Sequence, residues 1–359
     1  MPTDLPITCG RMDIADLEEV LDFNRASFPD DPRKSDEEYW RWHFLKNPNA
    51  DPGLVPVWLA RCDDKIVGQV NAHPIELNVA GHAVKASWFV DVVVTAEMRR
   101  RGVMRKLFDE LGKCYEYGLG IATDRQYSSR MVSNFGWCVF PRVPRFAKLL
   151  YPGEAVRELG KIRPIRSIVN AAFSPWRRRD RTLRSVTVRQ LDGFDASFDQ
   201  FWLRARDQWR CSVTRSSAML DWLYRQQPGK KFNVLGCFDG DTLCGYAVTY
   251  ERRANLAGAV DKLSISDLCY DPSHPETTVD ALFAYIVNGA IDRRVGSIVT
   301  DIIDPLITDV IKNFGFVRSS SRLEMMVNGP EHKAELCNIN NWFLTRGDSD
   351  ITLFEPTNI

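Results

Sequence analysis

The stretch Val92-Val93-Val94-Thr95-Ala96-Glu97-Met98-Arg99-Arg100-Arg101-Gly102-Val103-Met104-Arg105-Lys106-Leu107 sets three arginines and a glycine between a β-branched run and a helical pattern. That order reads as a strand, a tight turn and a helix N-terminus, with Val103, Leu107 and Leu111 on one side of the helix. A helix start aims free backbone N–H groups and the positive end of its dipole at one spot. Gly102 lets an anion come close to the backbone, because no Cβ intrudes. With Arg99, Arg100, Arg101 and Arg105 around it, the spot suits a pyrophosphate. The plainer alternative is a solvated basic face.

Arg99-Arg100-Arg101-Gly102-Val103-Met104 resembles the Arg/Gln-x-x-Gly-x-Gly/Ala loop of the GNAT acyltransferase superfamily. The resemblance implies that this loop holds the pyrophosphate of acetyl-CoA or another acyl-CoA. It also implies that Val92, Val93 and Val94 form the fourth strand, whose exposed backbone pairs with the pantetheine arm. Met104 departs from the pattern, standing where the family has Gly or Ala. The Arg-Arg-Arg-Gly form is also similar to the loop of the mycobacterial enhanced-intracellular-survival acetyltransferases.

The chain contains a second set of the same markers, in the same order, roughly 180 residues on. Trp42 and Pro48 correspond to Trp222 and Pro228. The acidic turn at Cys62-Asp63-Asp64-Lys65 corresponds to Phe238-Asp239-Gly240-Asp241, each between two strand-like runs. Asn134-Phe135-Gly136-Trp137 corresponds to Asn313-Phe314-Gly315-Phe316, each closing a helix with glycine before a strand. The second set has no R-x-x-G. It carries Asp271 and Glu276 in that region, which would repel a pyrophosphate. The expected organisation is a catalytic GNAT domain at 1–155, a basic linker at 156–184, a degenerate GNAT-like domain at 185–330 and a tail at 331–359. The fold class is α/β, an α+β mixed sheet flanked by helices, as two tandem GNAT-like domains. The tail phrase Leu344-Thr345-Arg346-Gly347-Asp348-Ser349-Asp350 is similar to the tail of bacterial GNAT-like proteins from envelope-glycan and secondary-metabolite loci.

A chain of 359 residues suits two domains, and its formal net charge of +0 leaves no global basic field for nucleic acid. The basic cluster at Arg163–Arg166 and Arg177–Arg181 falls between the copies and reads as a connector. The nine cysteines are scattered and lack C-x-x-C spacing, which argues against zinc and against a disulfide framework. The histidines show no metal spacing, so no metal is expected. No segment is long and apolar enough to span a bilayer. Residues 1–10 lack a basic start and a long apolar run, so a cytoplasmic enzyme is expected.

An amine attacking a thioester needs a proton acceptor for the amine and a donor for the departing thiolate. The resemblance implies a tyrosine acid four residues before the glycine of the fourth helix, but that position is Val132 here, and Ile311 in the second copy. Tyr127, at a strand–helix junction that borders the CoA sulfur in this fold, is the candidate acid. Ser128 beside it is a candidate cofactor contact, or with Ser129 a helix cap. Asp91, which interrupts an apolar strand, is the candidate base. Its counterpart Asp267 in the second copy argues instead for a structural aspartate at a strand splay. His73, Glu76 and His82 are further polar groups near the expected acceptor side.

The expected reaction is transfer of an acetyl or other short acyl group from acyl-CoA to the primary amine of a small molecule, an amino sugar or metabolite, by direct attack. Two alternatives stay open. One is a Fem-type aminoacyl transferase, which pairs two GNAT-like domains without a CoA loop. The other is a non-catalytic module that senses acyl-CoA or supports a partner. Homodimerisation is left open.

Overall fold

The computed structural model describes residues 6–349 apart from 123, 141, 156–162, 178, 179, 181, 183, 254–259, 320 and 322. Its first half runs β1 (Ile7–Arg11), α1 (Leu17–Ser27), α2 (Glu37–Leu45), β2 (Val57–Cys62), β3 (Lys65–Val79), β4 (His82–Val94), α3 (Val103–Gly112), β5 (Tyr117–Ala122), α4 (Arg125–Phe135), β6 (Cys138–Val139) and β7 (Arg145–Leu149). Two connecting helices follow, α5 (Pro152–Ala155) and α6 (Arg163–Ala172). The second half runs β8 (Thr187–Leu191), α7 (Ala196–Ala205), β9 (Cys211–Val213), α8 (Ser217–Tyr224), β10 (Phe232–Asp239), β11 (Thr242–Arg253), β12 (Val260–Tyr270), α9 (Pro275–Asp292), β13 (Ser297–Ile303), α10 (Pro305–Asn313), β14 (Val317–Ser319) and β15 (Glu324–Asn328). The chain then forms α11 (Lys333–Leu336) and β16 (Trp342–Thr345).

Local chemistry explains the joints. Asp63 and Asp64 both take left-handed φ (52° and 59°), the geometry of a tight hairpin turn between β2 and β3. Asp124 caps α4 by accepting from Gln126 N, and Gly136 ends it at φ 71°. Asp36 caps α2 through Tyr39 N.

Three local features follow from longer-range packing. β3 runs unbroken through His73 and Pro74, because pairing with β2 stops at Asn71 and pairing with β9 starts at Leu77. Pro74 therefore sits where no strand asks for its missing N–H. α3 ends at Gly112, and Tyr117–Ala122 forms β5. The connector also contains a helix, α6, whose Arg166 lies 3.5 Å from Glu154.

The strands form one continuous sheet, with neighbours in the order β6-β15-β5-β4-β3-β9-β16-β13-β12-β11-β10-β8. Period-two alternation splits it into two faces. Val57, Leu59, Ile75 and Leu77 join α1, α2 and the second half in one large core. Trp58, Ala60, Val70 and Ala72 face α3 and α4 in a smaller one. Gln69, Asn71 and His73, in step between Val70 and Ala72, therefore point to the α1–α2 side.

The halves exchange strands. β7 pairs with β13 and β14, while β15 pairs with β5 and β6. Cuts at 155 and 330 thus leave β7 and β15 in the sheet of the opposite half. Cys138 and Cys337 form a disulfide, with Cα atoms 5.5 Å apart. This corrects the expectation of no disulfide: the partners are separated by 199 residues, and only the long-range pairing of β15 with β6 brings them together.

Candidate functional site

β4 and β5 lie parallel over only three pairs, Ala86–Tyr117, Ser87–Gly118 and Trp88–Leu119. Past Trp88 they separate, and among the described residues no strand pairs between them. A bulge interrupts the β3–β4 ladder between Gln69 and Asn71, and Asp91 sits in it with a left-handed φ of 52°. Val92, Val93 and Val94 continue β4 as half-buried residues.

After β4 the chain turns tightly at Ala96–Met98, with Met98 buried as an anchor. Arg99 is extended, Arg100 is left-handed (φ 65°), and Gly102 is left-handed (φ 75°) immediately before α3. Alternating hand in successive residues turns backbone N–H groups toward one concavity, and no side chain caps α3. A Cβ at Gly102 would meet nothing within 4 Å, so glycine is wanted here for its φ and not for room. Val103, Leu107, Phe108 and Leu111 bury the inner face of α3, as the helical spacing predicts.

Arg99, Arg100, Arg101 and Arg105 are all exposed around this helix start. Arg99 Nε is 3.4 Å from the Val94 carbonyl, and Arg101 reaches Met98 Sδ at 3.3 Å. Arg105 donates to the Asn134 carbonyl and lies over the Phe135 ring at 4.8 Å. Met104 is half-buried against the smaller core.

Tyr127 and Ser128 lie in the first turn of α4. Burial pushes the Tyr127 hydroxyl well above its ordinary range, so it stays protonated. Ser128 does not cap the helix. Its Oγ donates to Glu324 Oε2 at 2.5 Å, a carboxylate that β15 sets beside Ala122. Val132 is exposed.

On the opposite sheet face, Asp91 Oδ1 receives Lys34 Nζ at 2.5 Å and Oδ2 receives Asn71 Nδ2 at 3.2 Å. Gln69 Nε2 donates to the Asp91 carbonyl at 3.4 Å. Lys34 comes from the short turn Pro32–Ser35 joining α1 to α2, where Asn24 Nδ2 holds its carbonyl at 2.9 Å. Next along β3, His73 Nδ1 lies 3.3 Å from His43 Nε2. Burial, reinforced by Lys34, drives the His43 pKa down to about 3, and burial beside His43 lowers that of His73 as well. Glu76 and His82 lie outside this group: Glu76 accepts from Thr214 at 2.9 Å, and His82 stacks on His332. Asp91 and Asn71 are thus brought together, while Tyr127 and Ser128 stand on the α4 side of the sheet.

Lys34, Asn24, Gln69, Asn71 and Glu324 had no local signal. They are ordinary polar residues whose partners lie far off in sequence.

The second half repeats the register with different contents. β12 and β13 also pair over three positions, Lys262–Ser297, Leu263–Ile298 and Ser264–Val299, and then separate. Here the gap is filled by the chain itself. Thr345 Oγ1 donates to Asp267 on β12 at 2.8 Å, and Arg346 Nη1 donates to Asp301 on β13 at 2.9 Å. Asp348 accepts from Arg215 at 2.5 Å, and Asp267 accepts from Tyr246 at 2.8 Å. Ahead of α9, Asp271 is buried, bonded to Ser273 N and paired with Arg204 at 3.3 Å. Thr278, near the α9 start, is fully buried, unlike exposed Gly102.

Residues 10–140 match the family described as an acetyltransferase (GNAT) domain. The chain has the GNAT fold. Among solved structures, it resembles a conserved protein from Enterococcus faecalis V583 described as a probable N-acyltransferase, at TM-score 0.60 and 15% identity, over 89% of this chain and 72% of that one. A GCN5-related N-acetyltransferase from Anabaena variabilis ATCC 29413 matches at TM-score 0.60 and 12% identity, over 89% and 72%. Saccharomyces cerevisiae N-myristoyltransferase with bound myristoyl-CoA matches at TM-score 0.56 and 12% identity, over 91% and 84%. No curated protein sequence gives a significant match. The structural matches therefore extend over both halves of the chain, while the family match lies in the first.

Among the described residues, no group of three or more His, Cys, Asp or Glu could hold a metal ion. No helix among them is long and apolar enough to cross a membrane.

Proposed function

We infer that the protein is an N-acyltransferase that moves an acetyl or other short acyl group from acyl-CoA to the primary amine of a small molecule. The observation that carries this reading is the turn Arg99–Gly102, with left-handed Arg100 and Gly102, opening an uncapped helix at the tip of a strand that has parted from its neighbour. These residues fit a CoA pyrophosphate: backbone N–H groups and the helix dipole meet the charge, and four exposed arginines surround it. The gap between β4 and β5 would take the pantetheine arm against Val92–Val94.

Asp91 is the base in this reading. It stands three residues beyond Trp88, the last residue of β4 that pairs with β5, on the α1–α2 side. Tyr127 is the acid, supplying its proton to the departing thiolate. The two halves act as a tandem pair in which only the first binds cofactor, and the second helps to shape the acceptor side. The corresponding gap in the second half holds residues 345–348, and Asp271 stands near its helix start, so that half has no room for pantetheine and no charge for pyrophosphate.

The test is a melting-temperature series with acyl-CoA thioesters, followed by turnover with a panel of primary amines. Stabilisation by an acyl-CoA together with CoA release on an amine supports the reading. Absence of any thermal shift across the thioesters overturns it.

A further inference from the structure

Lys34 is a primary amine already seated on the candidate base. Its Nζ lies 2.5 Å from Asp91 Oδ1, with side chains only 13% and 4% exposed. The surroundings are rich in hydrogen-bond acceptors. Asn24, Gln69 and Asn71 each spend an amide N–H on Lys34 or Asp91. Each is left with a buried amide oxygen, Asn24 Oδ1, Gln69 Oε1 and Asn71 Oδ1, that has no partner. Three buried amide oxygens without a partner, on residues that bond Lys34 or Asp91, leave acceptor capacity for a donor-bearing group such as an ammonium. Lys34 reaches it from the turn joining α1 to α2, and Asp91 reaches it from the bulge just past the point where β4 and β5 part.

The geometry points to Lys34 as an internal acyl acceptor: with no external amine present, the protein acylates its own Lys34 from bound acyl-CoA. This rests on the cofactor reading given above. In the step, a proton passes from Lys34 Nζ to Asp91 and the freed amine attacks the thioester carbonyl. A C–N bond forms, the C–S bond breaks, and CoA leaves as a thiol after taking up a proton. The product amide carries no charge, so Asp91 loses its ion-pair partner and becomes available to an incoming ammonium. Lys34 acylation thereby frees the base.

The experiment incubates the full chain with acetyl-, butyryl- and myristoyl-CoA in separate arms, without amine, and maps acyl groups by peptide mass spectrometry. The expected result is one acyl group on Lys34, formed at a rate independent of protein concentration. Label at Lys34 should fall at least tenfold in Asp91→Asn and in Gly102→Ile. Lys34→Arg, which keeps a cation for Asp91, should take up no label elsewhere in its place. An acyl-CoA that raises the melting temperature yet leaves Lys34 unmodified overturns this proposal and leaves the cofactor reading standing. Labelling of Lys34 no faster than that of exposed Lys113 also overturns it, as chemical acylation. Absence of any thermal shift overturns both.

Discussion

The indole of Trp42 donates to the carbonyl of Trp222 at 3.1 Å, and the indole of Trp222 donates to the carbonyl of Trp42 at 3.0 Å. The rings stack at 5.0 Å between centroids, and both residues are buried. Two tryptophans 180 residues apart in sequence thus satisfy each other across the boundary between halves. Trp222→Phe keeps most of the ring contact but leaves the Trp42 carbonyl without its donor, at a cost of about 1–3 kcal/mol. Trp222→Ala removes the ring as well and should cost about 3–5 kcal/mol. Because the two indoles touch, Trp42→Phe and Trp222→Phe together should cost less than the sum of the singles. Urea unfolding of the three variants checks this, and strict additivity would contradict the coupled contact.

The second prediction concerns how many cofactors the chain holds. Thr345 and Arg346 bridge β12 and β13, whereas among the described residues nothing bridges β4 and β5 past Trp88. Calorimetry should therefore find about one CoA per chain. Gly102→Ile forces a β-branched side chain into left-handed φ and should abolish the CoA-induced thermal shift. Thr278→Val, at the equivalent region of the second half, should leave the shift intact. A stoichiometry near two, or equal loss in both variants, would sink the single-site reading.

Much of this architecture is legible in local pattern. The Val92–Val94 run, the glycine before α3 and the Val103/Leu107/Leu111 stripe specify strand, turn and helix through short-range sterics and burial. Gly136 and Gly315 mark helix ends because left-handed φ (71° and 75°) favours glycine. What local pattern does not carry is the choice of distant partners. Nothing near Arg145 or Glu324 says that each strand crosses to the other half. Lys34 and Asp91, 57 residues apart, carry no shared signature. Cys138 and Cys337 pair only because β15 lies beside β6. Pro74 lies within a strand only because neighbouring strands leave its nitrogen unclaimed.

The third prediction is a pH dependence of stability. His43 titrates near 3 in the fold against an ordinary 6.5, and His73 is lowered too, chiefly because burial disfavours their charged forms. Below 6.5 the unfolded chain binds protons that the native histidines refuse. Stability is therefore lost as pH falls from about 6.5 toward 3, at about 1.4 kcal/mol per pH unit for each histidine, and these two groups add no slope above that window. His43→Gln removes one titrating group. The difference between wild-type and variant stability, measured by denaturant unfolding from pH 7 to pH 4, should shrink the acid-side slope by about that amount. Parallel profiles would mean that His43 takes up its proton in the folded state.

The last prediction separates the two candidate catalytic groups. Tyr127 keeps its proton because its hydroxyl is buried, which suits a donor to a thiolate and leaves it no charge with which to bind cofactor. Tyr127→Phe should therefore lower kcat by about tenfold or more while the CoA-induced thermal shift survives. Asp91 differs, because it also holds Lys34 and Asn71. Asp91→Asn should lower kcat by about tenfold or more. It also leaves Lys34 without its carboxylate, so some loss of stability is expected alongside. Lys34→Met with Asp91→Asn restores charge balance at that spot and serves as the control for folding. A double variant that is stable but still inactive assigns the lost activity to the carboxylate. Full activity in Asp91→Asn would give Asp91 the structural role of its counterpart Asp267, and full activity in Tyr127→Phe would leave thiolate protonation to solvent.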